Sequence, residues 1–219
     1  MESGRDGASI DQIDDFRDAH LSLARRLISA DSKRMYKMDI LALAVLKRSL
    51  STASGFSSMF AQGNLLCAAS LIRLQIDSSL RFFASTLVDD PDDFCQKVFE
   101  GVPIRKIKDK TGNAMMDSYL VEKMSENFPW VEGAYGPASG FIHLSEKHIF
   151  STVSLGVSEG VVKIDVSDVE SNPNPVFSGE LRVAFMHATF LVLQCVGEWV
   201  KAKENIDRTE GFSLFAMAT

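Results

Sequence analysis

Two very short connections constrain this chain more than any other feature. Gly63-Asn64 parts two long helix-period runs, about Met35 to Ala61 and Leu65 to about Val88. Asp89-Asp90-Pro91 then ends the second run and opens a short helix, Asp92 to Phe99. Helices joined so tightly pack antiparallel, so the expected fold class is mainly α, an antiparallel helical bundle.

The flanking sequence extends the pattern. Ser9 is placed to cap a first helix ending near Ala30, with Ile10, Ile13, Phe16, Leu21, Leu23, Leu27 and Ile28 on its apolar positions. Asp11, Asp14 and Asp15 sit early in it, where the positive end of the helix dipole favours negative charge. A basic irregular stretch, Gly101 to Lys110, carries Arg105, Lys106, Lys108 and Lys110 and leads into a helix from about Ala114 to Glu126. Pro129, Gly133, Gly136, Pro137 and Gly140 predict a loop feeding a short helix at about Ala138 to Glu146. Phe150-Ser-Thr-Val-Ser-Leu155 and Val161-Val-Lys-Ile-Asp-Val166 alternate apolar and polar residues around Gly156 to Gly160, which predicts a small β-hairpin insertion at about 150–166. Ser171-Asn-Pro-Asn-Pro175 reads as a linker, and Ser178 as the cap of a last helix, Gly179 to about Glu204, with Glu180 in its first turn.

That last helix contains the most apolar stretch, Leu181 to Val200, which reaches bilayer-spanning length but includes Arg182, His187, Gln194 and Glu198. Such residues are expensive at mid-bilayer, so it is expected to be a core helix and no membrane partner is expected. With 219 residues and no compositional break, one domain is expected over 9–204, after a disordered 1–8. The tail, 205–219, contains Phe212-Ser-Leu-Phe-Ala-Met217 and is expected to dock on the body or on a second subunit.

A formal net charge of −6 repels polyanions overall, although a local basic cleft is compatible with it because screening shortens the reach of distant charges. Cys67, Cys95 and Cys195 are odd in number, far apart and set in apolar context, so buried free thiols in a reducing compartment are expected. The first residues lack the apolar core of a secretory signal, and the expected location is the cytoplasm.

The candidate sites are polar residues where a plain helical core would not put them. Arg73, Asp77 and Arg81 stack at i, i+4, i+8 on one face of a helix that is apolar nearly all round. Charges there must be paired, so they form either a structural triad or a pocket in which an arginine meets an anionic ligand. Downstream of Tyr135, the segment Phe141-Ile-His143-Leu-Ser145-Glu146-Lys-His148 gathers two histidines, a hydroxyl and a carboxylate, groups suited to binding or proton transfer. His143 is expected to face the third helix and His148 solvent. The histidines' i, i+5 spacing puts them about 140° apart on a helix, with no third ligand, and no metal or cofactor is expected.

Arg182-Val-Ala-Phe-Met-His187 has the Arg, four residues, His spacing of the HEPN helical superfamily. Together with the Arg-x-x-x-Asp-x-x-x-Arg stripe and Gly-Phe-Ile-His-Leu-Ser, over residues 35–200, the chain resembles uncharacterised bacterial helical proteins of the abortive-infection and HEPN type. The resemblance implies a homodimer in which the Arg182 and His187 regions of two copies approach each other. As a metal-independent endoribonuclease, such a protein would use His187 on the 2′-hydroxyl and Arg182 on the phosphorane charge, with Arg73 or Arg105 to Lys110 on phosphate. In this chain Val183 stands directly after the arginine, where the family has a polar residue. The leading expectation is accordingly a non-catalytic helical protein of a bacterial defence or accessory system. It would bind RNA, an anionic small ligand or a protein partner through Arg73, Asp77, Arg81, Tyr135, His143, Ser145 and His148. The endoribonuclease is the alternative.

Overall fold

A computed structural model describes residues 8–155, 160–169 and 174–206. The expected disordered N-terminus, the expected hairpin turn, most of the expected linker and the apolar tail lie largely outside the described residues. In chain order the elements are α1 (Ala8–Ser29), α2 (Lys37–Ala61), α3 (Leu65–Phe83), α4 (Pro91–Phe99), α5 (Asp117–Ser125), α6 (Trp130–Ser139), α7 (Glu146–Thr152), β1 (Val153–Leu155), β2 (Val162–Ile164) and α8 (Pro175–Glu204). The chain is a mainly helical bundle.

Local chemistry sets the helix boundaries. Gly63, at φ +78°, supplies the left-handed residue that ends α2, and Asn64 then caps α3 by accepting from Cys67 N–H at 3.2 Å. Asp90 caps α4 by accepting from Asp92 and Asp93 N–H at 2.9 and 3.0 Å, with Pro91 at the first helical position. The last helix begins at Pro175 rather than Gly179. Asn174, not Ser178, is its cap, and Ser178 Oγ donates back to the Asn174 carbonyl.

Glycine and proline misled the reading of 128–150. Trp130–Ser139 is helical with Pro137 inside it, and the expected helix at Ala138 to Glu146 is instead mostly the turn before α7. Phe150 to Thr152, expected as strand, finish α7. β1 and β2 then pair antiparallel, with Val153 opposite Ile164, Ser154 opposite Lys163 and Leu155 opposite Val162, and Asp165 N–H continues the ladder to Thr152 O at 2.8 Å.

The core lies where α1, α2, α3 and α8 meet, with α3 packed on both α2 and α8. Phe56 of α2 stacks on Phe185 of α8 with ring centroids 3.9 Å apart. By length and composition α8 could cross a bilayer, yet Leu181, Phe185, Ala188, Leu191, Val192, Val196 and Val200 are buried within the bundle. α5 and α6 also pack on α3.

Two buried polar devices tie these helices. One residue from each core helix, His20, Ser49, Gln75 and Thr189, forms a hydrogen-bonded layer. His20 Nδ1–H donates to Phe16 O at 2.6 Å, which leaves Nε2 to accept from Ser49 Oγ at 2.8 Å. Ser49 Oγ then accepts from Gln75 Nε2 at 2.6 Å, and the same amide donates to Thr189 Oγ1 at 3.0 Å. The second device is an ion pair, Lys203 with Asp39 at 2.7 Å, both side chains fully buried. Asp39 also accepts from Tyr36 N–H and Trp199 Nε1–H, and Lys203 donates to Leu27 O.

Cys95 is buried, but Cys67 is exposed, contrary to expectation, because it sits one turn inside α3 on the solvent side. Burial pushes the Cys95 thiol up to about 12.

Candidate functional site

Arg73 and Arg81 turn toward α5 and α6 and meet partners there, while Asp77 pairs with both of them and with Arg48 of α2. Arg73 Nε donates to Ser139 Oγ at 3.2 Å, its Nη2 to Asp117 Oδ2 at 2.9 Å and also to the Tyr135 hydroxyl, and its Nη1 lies 3.6 Å from Asp77. The guanidinium also lies over the Tyr135 ring, 4.0 Å from its centroid. Arg81 Nη2 bridges Asp77 at 2.9 Å and Asp117 at 2.5 Å. From α2, Arg48 Nη1 donates to the other oxygen of Asp77 at 2.9 Å. Tyr135 OH completes the circuit to Asp117 Oδ2 at 3.0 Å.

The cluster holds three arginines against two aspartates. Burial raises the Asp117 carboxyl, but the hydrogen bond and charge of Arg81, with Tyr135 and Arg73 behind them, outweigh it and hold Asp117 below the usual carboxylate range. Burial works against the Arg81 charge, and Asp77 and Asp117 more than restore it. At neutral pH the site therefore carries one excess positive charge in a chain that is acidic overall. Arg73 is only 13% exposed and spends three of its five N–H donors in hydrogen bonds inside the cluster, whereas Arg48 is 43% exposed and spends one of five on Asp77.

Of the residues expected here, Arg73, Asp77, Arg81 and Tyr135 converge. His143, Ser145 and His148 do not join them. His143 is exposed, contrary to the expectation that it faces α3: the residue that reaches α3 is Phe141, whose carbonyl accepts from Ser70 Oγ at 2.9 Å. Ser145 is the cap of α7, with Oγ donating to Gly140 O at 2.7 Å. His148 is half-buried rather than exposed, because its Nδ1 accepts from Ser145 N–H at 3.2 Å in a capping arrangement.

Asp117, Ser139 and Arg48 complete the cluster without having been expected. Asp117 opens α5, the one signal available in sequence; Arg48 and Ser139 carried none, since only the docking of α2 and α6 on α3 brings them in.

Arg182 and His187 point apart. The Arg182 guanidinium lies 5.8 Å from the Phe60 ring on the α2 side, and His187 lies 5.8 Å from the Trp130 ring on the α6 side. His187 lines an open apolar groove of about 560 Å³ between α6 and α8, with Trp130, Val176, Val183 and Ala184. Lys108 and Lys110 share a cleft of about 200 Å³ with Asp89, Asp90 and Asp93, which offset their charge. Among the described residues, no three histidine, cysteine or acidic side chains gather as metal ligands. Comparison with family models, curated proteins and solved structures finds no match.

Proposed function

We propose that the chain is a non-catalytic helical binding protein whose ligand is anionic and enters at the arginine cluster. The observation that carries this reading is the excess positive charge of the Arg48, Arg73, Arg81, Asp77, Asp117 constellation, with the unspent donors of Arg48 turned to solvent. Arg73 and Tyr135 are the rigid floor, and Arg48 and Arg81 are the groups with donors left for a phosphate or carboxylate. A bacterial defence or accessory system, the setting the resemblance implies, belongs to the same proposal. The endoribonuclease alternative is less well supported, because Arg182 and His187 contact different rings on opposite sides of α8.

Calorimetric titration with inorganic pyrophosphate at low salt tests the reading. Binding is expected, weakening as salt rises and lost in Arg48→Ala while helical content stays unchanged. No heat from the wild type, or equal heat from Arg48→Ala, overturns it. Single-stranded RNA incubated with the protein in EDTA is expected to stay intact; cleavage that Arg182→Ala/His187→Ala abolishes would establish the alternative.

A further inference from the structure

The strand β2 and the residues after it carry a pattern that the arginine cluster does not use. Val162, Lys163, Ile164 and Val166 are all exposed, and among the described residues the sheet has only two strands, none of which pairs with the outer edge of β2. A two-stranded sheet is marginal alone, and an exposed apolar edge is a template for another strand.

The register on β1 fixes which backbone groups face that edge. Asp165 N–H donates to Thr152 O, and Lys163 lies opposite Ser154, so the amides and carbonyls of 163 and 165 turn toward β1. Those of 162, 164 and 166 turn outward. A second antiparallel strand can therefore form hydrogen-bonded pairs only with Val162, Ile164 and Val166.

The segment Val162-Lys163-Ile164-Asp165-Val166 is also self-complementary about its centre. Paired antiparallel with a copy of itself about Ile164, it sets Val162 across Val166, Ile164 across Ile164, and Lys163 across Asp165 in both directions. The Lys163 and Asp165 positions then fall at the non-hydrogen-bonded sites, where Cα atoms approach to about 4.5 Å and side chains are closest. Asp165 already accepts from Ser167 Oγ at 2.6 Å, and a carboxylate has capacity for a lysine as well. Centring the pairing one residue earlier would put Lys163 across Lys163, a repulsive arrangement.

We propose that β2 is the seam of a homodimer: residues 162–166 pair antiparallel with the same residues of a second copy, about a two-fold axis at Ile164, making one four-stranded sheet. Charge complementarity selects a second copy over an acidic or basic partner, because lysine and aspartate alternate with no net charge along the seam. The seam makes no use of the arginine cluster or of Arg182 and His187, so it stands or falls apart from the anion-binding reading. Being short, it falls below the size of standard stable interfaces, so weak, concentration-dependent dimerisation is expected.

Sedimentation equilibrium of the full chain from low to several hundred micromolar tests it. Lys163→Asp alone, or Asp165→Lys alone, sets like charges across both symmetric positions and is expected to raise the dissociation constant on the order of tenfold. The double exchange Lys163→Asp/Asp165→Lys restores opposite charges and is expected to return the wild-type constant. Ile164→Cys, in a Cys67→Ser background that removes the exposed thiol, is expected to give a disulfide-linked dimer on mild oxidation, since hydrogen-bonded pairs hold Cα atoms about 5.5 Å apart. A chain monomeric throughout overturns the proposal. So does a dimer indifferent to the single changes, one that the double exchange fails to restore, or one that Ile164→Cys does not cross-link.

Discussion

Arg73 is where a single side chain has the most to answer for, because it contacts Asp77 on its own helix, Asp117 on α5, and Tyr135 and Ser139 on α6. Arg73→Ala is expected to lower stability by about 2–4 kcal/mol, short of the loss of a fully buried pair because Asp117 keeps access to water. Urea denaturation measures it, and the loss should be larger than for Arg48→Ala, whose more exposed pair belongs to the class worth about 1 kcal/mol or less. The Arg73, Asp77, Arg81 stripe was legible because helical spacing alone aligns i, i+4 and i+8. His143 was misread for a different reason: its apolar neighbours Phe141, Ile142 and Leu144 were expected to need burial, but in a turn neighbouring apolar residues say little about which way a side chain faces. Ile142 and Leu144 beside it are themselves exposed.

Between elements, the two buried polar devices make separate predictions. Lys203→Met leaves the Asp39 carboxylate buried without its cation and is expected to cost about 3–5 kcal/mol by thermal or urea unfolding, whereas Asp39→Leu/Lys203→Met together should recover a large part of that loss. Burial lowers the affinity of His20 for a proton, against the hydrogen bond to Phe16 O, so its folded value lies below the ordinary 6.5. The neutral ring therefore contributes its full stability above about pH 6.5, where the unfolded chain is neutral too, and the contribution is lost as pH falls below 6.5 and the unfolded chain takes up a proton first. Urea midpoints should drop between pH 7.5 and pH 5.5, and His20→Asn should flatten that slope. Neither device was foreseen from sequence. His20 falls on a helix whose apolar pattern looks complete without it, and Lys203 sits in a last turn where a lysine ordinarily means an exposed partner for the helix dipole. The short connection between α2 and α3, by contrast, carried the helical architecture reliably, since the three residues 62–64 leave a chain few ways to turn.

For the whole molecule, the features that were hidden share a cause. Arg48 with Asp77, His20 with Ser49, and Lys203 with Asp39 join residues 29 to 164 positions apart, and no local period reports a contact of that range. Lys203 belongs to α8, which also brings Thr189 to Gln75 and is the last helix in the described chain. During synthesis, then, the first seven helices leave the ribosome with the apolar floor of the bundle open, Asp39 lacking its lysine and Gln75 its threonine. The bundle can only be sealed once α8 has been made and its final turn brings Lys203 back to the start of α2. Any message cut short before that turn encodes a chain with a missing wall, and such products are natural substrates for chaperones and proteases.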